Sequence, residues 1–105
     1  MCGFFGIIGH PHPDRETVIG LRELLTHRGP DGAGLWQAPG VSLAHRRLAV
    51  LDPTEAGAQP MIDRSGRLAL VYNGELYNDR DLRDRLGARI GESSFRSSCD
   101  TETLL

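Results

Sequence analysis

Directly behind its first methionine the chain reads "CGFFGIIG", in which Phe4, Phe5, Ile7 and Ile8 form a short apolar run without helical spacing. Such a run predicts a buried strand, so the chain enters its core at once and carries Cys2 at the strand's beginning. A thiol in that place has three readings: a packed core residue, a stray free cysteine or a nucleophile.

A chain of 105 residues supports at most one domain with a single core. Its formal charge of -2 supplies no broad basic field, and no cationic stretch with interleaved aromatics occurs, so nucleic acid is not an expected partner. Nor is a membrane, since no apolar run approaches the roughly 18 residues of a span and no basic segment leads into a signal-peptide core. With Cys2 and Cys99 the only cysteines, a disulfide framework is not expected and a cytoplasmic location fits. All 12 basic residues are arginine, which excludes a P-loop lysine and Schiff-base chemistry from this polypeptide.

Along the chain, Asp14 is a good N-cap for a helix in which Val18, Leu21, Leu24 and Leu25 recur at helical spacing, until "THRGPDGAG" breaks the pattern into a loop. "VSLAHRRLAVLD" and "LALVYNG" predict strands, joined by a polar connection from Pro53 to Gly66. Asn78 would cap a second helix with Leu82 and Leu86 four apart, its dense Asp and Arg charges marking a solvated outer face. "SSCDTETLL" begins a helix with no body, which leads to the expectation of a truncated N-terminal piece. This order of elements predicts an α+β or layered-sheet architecture.

The chemistry of Cys2 depends on Met1. Methionine before a small side chain is normally removable, and its removal would give Cys2 a free α-amine next to its thiol. Reference pKa values of roughly 8.5 and 7.7–8.0 make proton transfer between the two cost only about 1 kcal/mol. The amine is then a workable general base, whereas with Met1 in place the same nitrogen is an amide without basicity.

Six motifs in order, "MCGFFGIIG", "HRGPDGAG", "LAHRRLAVLD", "GAQPM", "YNGELYN" and "CDTE", resemble class II glutamine amidotransferases over almost the whole chain. "HRGPD", "AHRRL" and "NGELYN" are similar to the glutamine-hydrolysing asparagine synthetases in particular. The resemblance implies an N-terminal-nucleophile α/β/β/α sandwich, here only as its N-terminal half over residues 1–105. It also implies hydrolysis of L-glutamine to glutamate and ammonia, with Cys2 attacking the carboxamide. Arg47 would grip the substrate α-carboxylate, as a guanidinium fork matches a carboxylate bidentately. Arg46 is the neighbouring alternative, which strand alternation points to the opposite face. Asn73 and Gly74 resemble the oxyanion hole, with the Asn73 amide and the Gly74 N–H as donors and glycine permitting the turn. Glu75 and Asp100 resemble the carboxylates that hold the α-ammonium.

Without that resemblance, Asn73-Gly74 reads as a hairpin turn and Asp100 as a helix N-cap. Cys99 stands where many relatives have serine or threonine. His10, His12, His27 and His45 with Cys2 match no tight metal-ligand spacing, so no metal is expected. The "HRGPD" segment shows a rigid turn, which the resemblance makes a site-framing loop. No cofactor is implied for this chain; ATP and magnesium are implied only for a separate synthetase domain that would receive the ammonia. Two other readings stay open: a catalytically silent fragment or regulatory module, and a stand-alone N-terminal-cysteine amidohydrolase.

Overall fold

The structure, a computed structural model, describes residues 1–50 and 52–105. The opening apolar run is strand β1, Gly3–Ile8. It pairs with β3, Val41–Arg47, which in turn pairs with β2, Gly32–Ala38, giving an antiparallel sheet ordered β1-β3-β2. The register sets Gly3 and Ala33 across from Arg46, and Phe4 and Gly34 across from His45. Directly opposed residues share a face. One face of the sheet therefore carries Gly3, Phe5, Ala44, Ser42 and Arg46, and the other Phe4, Gly34, His45 and Arg47.

Helix α1, Arg15–Glu23, covers the first of these faces. The Asp14 carboxylate accepts from Thr17 N–H at 2.8 Å, which satisfies one open donor of the first turn. Val18 and Ala44 are fully buried where helix and sheet meet. The helix is shorter than its leucine spacing predicts, and Leu24 is exposed. The cause lies in the backbone: Leu25, Thr26 and Arg28 N–H groups bond three residues back, a tightening common at helix ends, before the chain turns at Gly29.

β2 begins in a segment that the sequence marked only as a loop and continues through residues for which no element was expected. It forms because β3 supplies a full antiparallel ladder to "GAGLWQA", overriding the weak propensity of its two glycines. Beyond β3, the expected second strand contracts to β5, Ala69–Leu70, which pairs with β4, Met61–Ile62, inside the predicted connection. The Asp63 carboxylate closes this small hairpin by accepting from the Ser65 and Leu68 N–H groups. The Ser65 hydroxyl and then these backbone donors hold its pKa down at about 2. Leu51, in the middle apolar run, lies outside the described residues.

Helix α2, Asp79–Ile90, follows Asn78, whose side chain makes no capping bond. Its charges are not all solvated. Arg83 pairs with Asp79 at 3.2 Å, donates to the carbonyls of Ser97 and Cys99 at 2.9 and 2.6 Å, and stacks on Phe95. It thereby fixes the approach to α3, Asp100–Leu104. The result is a small mixed α/β domain with two antiparallel sheets among the described residues. No helix among the described residues is long and apolar enough to cross a membrane.

Candidate functional site

Cys2, Arg47, Asn73, Gly74, Glu75 and Asp100 all line one cavity of about 370 Å³, although they come from four separated stretches of chain. The arrangement follows from the fold. Cys2 precedes β1 and Arg47 ends β3, so the ladder places them side by side. The Cys2 thiol accepts from Leu48 N–H at 3.3 Å and lies 3.5 Å from the Leu48 carbonyl, which fixes its rotamer at the end of the sheet. Behind it, Arg28 Nε donates to the Cys2 carbonyl at 3.1 Å, and Gly3 leaves room for Leu25 and Arg28, which a Cβ would meet at 3.1 and 3.2 Å.

The "HRGPD" turn therefore touches the site through two residues for which the sequence offered no individual role. Arg28 holds the chain at Cys2. Asp31 accepts from Ala49 N–H at 2.8 Å and, through its own N–H, bonds the Arg47 carbonyl, so it sets the path of the chain past Leu48.

Arg46 and Arg47 point to opposite faces. Arg46 donates to the Gly29 carbonyl at 2.9 Å and approaches Glu23 at 3.4 Å, on the α1 side. Arg47 reaches the cavity side, where its guanidinium donates to the carbonyls of Thr54, at 2.8 Å, and Asp52. Gly57 packs so closely that a Cβ there would overlap Arg47 Nη2. Asp52 adopts a φ of 47°, a conformation aspartate tolerates better than most residues, and its carboxylate accepts from Ser98 N–H at 2.9 Å. The Thr54 hydroxyl and next the Ser98 N–H hold that carboxyl below its usual range. The loop that grips Arg47 is thus tied to the segment leading into α3.

Asn73 and Gly74 follow β5 in an irregular stretch and do not form a hairpin turn. Gly74 is not in a positive-φ conformation, so the turn itself does not require glycine. Space does: a Cβ at Gly74 would lie 2.6 Å from Tyr72 Oη and 2.7 Å from its Cζ. Among the described residues the Asn73 side chain has no hydrogen-bond partner, which leaves its amide available in the cavity. Glu75 is exposed at the rim. Asp100 is 5% exposed, and its Oδ2 accepts from Leu76 N–H at 2.7 Å, so it is the first residue of α3 rather than its N-cap, which is Cys99. The buried Cys99 thiol lies 3.4 Å from the Thr101 hydroxyl and 3.8 Å from Asp100 Oδ1.

Beside the cavity, His45 is fully buried and neither ring nitrogen has a hydrogen-bond partner among the described residues. Burial pushes its pKa down to about 4, and the Arg47 charge reinforces this shift. His45 is therefore neutral at pH 7. The remaining histidines are dispersed, with His12 bonded to Ser42 at 2.7 Å and His27 to the Leu24 carbonyl at 3.0 Å. Among the described residues no three His, Cys, Asp or Glu side chains gather as a metal site.

A thiol, an arginine, an open amide and two carboxylates thus line one cavity. The chain belongs to the glutamine amidotransferase domain family, whose pattern matches residues 1–105. It is similar to an asparagine synthetase [glutamine-hydrolyzing] 2 of Arabidopsis thaliana, with 37% identity over 107 residues, covering 99% of this chain and 18% of the relative. It is likewise similar to a probable asparagine synthetase [glutamine-hydrolyzing] of Dictyostelium discoideum, 37% identical over 100% of this chain and 19% of the relative. A third relative is the asparagine synthetase [glutamine-hydrolyzing] 3 of Bacillus subtilis, 38% identical over 100% of this chain and 17% of the relative. The chain thus spans less than a fifth of the length of each of these proteins.

Proposed function

We propose that the cavity hydrolyses L-glutamine to glutamate and ammonia through a thioester on Cys2. The observation that carries this reading is the convergence of Cys2, Arg47, Asn73, Gly74, Glu75 and Asp100 on one cavity, in a chain of the glutamine amidotransferase family. Its volume falls in the range of small-molecule sites.

The α-carboxylate of glutamine docks on Arg47 and the α-ammonium on Asp100 and Glu75, so both poles of the zwitterion are matched. The carboxamide then lies toward Cys2. With Met1 removed, the free α-amine of Cys2 takes the thiol proton as sulfur attacks the amide carbon. The negative charge that develops on the amide oxygen is met by the Asn73 side chain and the Gly74 N–H. The C–N bond breaks, the amine returns its proton to the leaving nitrogen, and ammonia departs. Water, deprotonated by the same amine, attacks the thioester; glutamate leaves and the thiol is restored.

The names and lengths of the relatives support a further step within this reading. The ammonia passes to a separate synthetase domain, which uses it to make asparagine. The test is a glutamine-dependent assay of glutamate and ammonia on the full-length protein, with Cys2→Ala beside it. The expected result is turnover that Cys2→Ala abolishes while synthesis from free ammonia persists. Equal loss of both activities, or glutamine turnover that survives the substitution, would overturn the assignment.

A further inference from the structure

Gln59 stands in the "GAQPM" stretch, for which neither composition nor spacing suggests a role. It is 8% exposed, and both ends of its side-chain amide are used. Oε1 accepts from Tyr72 N–H at 2.6 Å, and Nε2 donates to the Thr101 hydroxyl at 3.0 Å. Tyr72 is the residue before Asn73, and Thr101 is the residue after Asp100. A single planar group therefore spans the two segments that carry the oxyanion donors and the ammonium-binding carboxylate. Its own backbone is seated on the first sheet, because the Gln59 carbonyl packs where a Cβ of Gly34 in β2 would be.

We propose that Gln59 is a positioning residue of the glutaminase site, whose amide sets the spacing between the Asn73–Gly74 donors and the Asp100 carboxylate. The inference rests on the functional reading above. The bound substrate holds its ammonium and its carboxamide at one separation, within the reach of its side chain, so the donors must stand at a matching distance from Asp100, and a displacement of about 1 Å can cost about 10²-fold in rate. The irregular stretch from Val71 to Asn78 has no ladder to hold it. Its restraints include the Gln59 bond at Tyr72 and the Asp100 bond at Leu76, and Gln59 also holds Thr101, next to Asp100. An amide suits this place because it offers an acceptor to one side and a donor to the other without bringing a charge beside the cavity.

Three variants of the full-length protein test the assignment. Gln59→Met keeps the volume and removes both bonds; Thr101→Val removes the hydroxyl that accepts from Gln59 and also meets the Cys99 thiol; Thr101→Ser retains that hydroxyl. The expected pattern is a kcat for glutamine lowered at least tenfold together with a raised KM in Gln59→Met. Thr101→Val should raise KM several-fold with kcat within about twofold of the parent, and Thr101→Ser should restore the parent KM. Hydrogen exchange at the Tyr72 amide, followed by NMR, requires no turnover and should be at least tenfold faster in Gln59→Met. Parent-like kinetics or parent-like Tyr72 exchange in a folded Gln59→Met protein would overturn the proposal while leaving glutamine hydrolysis intact. A folded parent that does not hydrolyse glutamine overturns the functional reading and this role together.

Discussion

The Asp100 carboxylate takes the Leu76 N–H at 2.7 Å, so the residue proposed to hold the substrate ammonium also anchors the segment that carries Asn73, Gly74 and Glu75. Asp100→Asn tests both functions, because its amide can keep the acceptor for Leu76 and loses the charge. The expected result is a glutamine KM raised by roughly 10- to 150-fold, the equivalent of a charge-assisted bond of about 1.5–3 kcal/mol, with kcat little changed. Arg47→Ala should raise KM similarly. A fall in kcat at constant KM for both variants would refute the assignment of the two poles.

For Asn73 the opposite kinetic signature is expected. Its side chain is not used in holding the fold among the described residues, so Asn73→Ala should leave thermal stability within about 0.5 kcal/mol of the parent, as for substitutions away from structural contacts. The cost should fall on kcat, by about 10²–10³-fold, as for loss of one oxyanion donor. Steady-state kinetics beside a thermal melt would check both halves.

Met1 lines the cavity and is 75% exposed, accessible to an aminopeptidase. The active form should begin at Cys2, since only then does the sulfur have an amine base on its own residue. Intact-mass measurement of an active preparation should show the methionine gone. Full retention with undiminished turnover would contradict the mechanism.

His45 gives the fold an acid-sensitive element. Its pKa is about 4 in the folded state against 6.5 for the unperturbed ring, so the unfolded chain takes up the proton first as pH falls. Stability should therefore be level above about pH 6.5 and decline from there toward pH 4, with a maximum cost of about 3 kcal/mol. Denaturant titrations across this window should show the slope. His45→Leu, which cannot take up the proton, should flatten it; an unchanged slope in that variant would assign the acid sensitivity elsewhere.

The sequence revealed the parts of this molecule whose physics is local. β1 follows from a run of apolar residues, and the start of α1 from Asp14. The six site residues came from motif resemblance, and the cavity brings them together without showing what each does. What escaped was set by tertiary partners. β2 depends on the β3 ladder. Arg83 faces inward because the Ser97 and Cys99 carbonyls and the Phe95 ring lie within its reach, although its neighbours make it look like another surface charge. Gln59 and His45 are buried polar groups, and the Gln59 bonds reach Tyr72 and Thr101, 13 and 42 residues away, which no periodicity encodes. Glycine at position 74 was expected for a turn and is needed for the Tyr72 ring.

The 105-residue chain by itself should be a poor glutaminase, although it carries every residue assigned to catalysis. The face of the first sheet opposite α1 bears Phe4, 46% exposed, and Ile8, 83% exposed. The only fully or nearly buried apolar side chains among the described residues are Val18, Ala44, Met61 and Cys99. So small a core supplies little surplus stability, and the two-residue strands β4 and β5 add only a short ladder beneath the Asn73 segment. The proposed oxyanion donors depend on that segment holding still, because preorganisation is what makes such donors effective. We therefore expect broad thermal unfolding of the isolated chain and glutamine turnover at least 10²-fold below that of a full-length glutamine-hydrolysing asparagine synthetase assayed alongside. A sharp cooperative melt with comparable turnover would show that these residues fold and work without further chain.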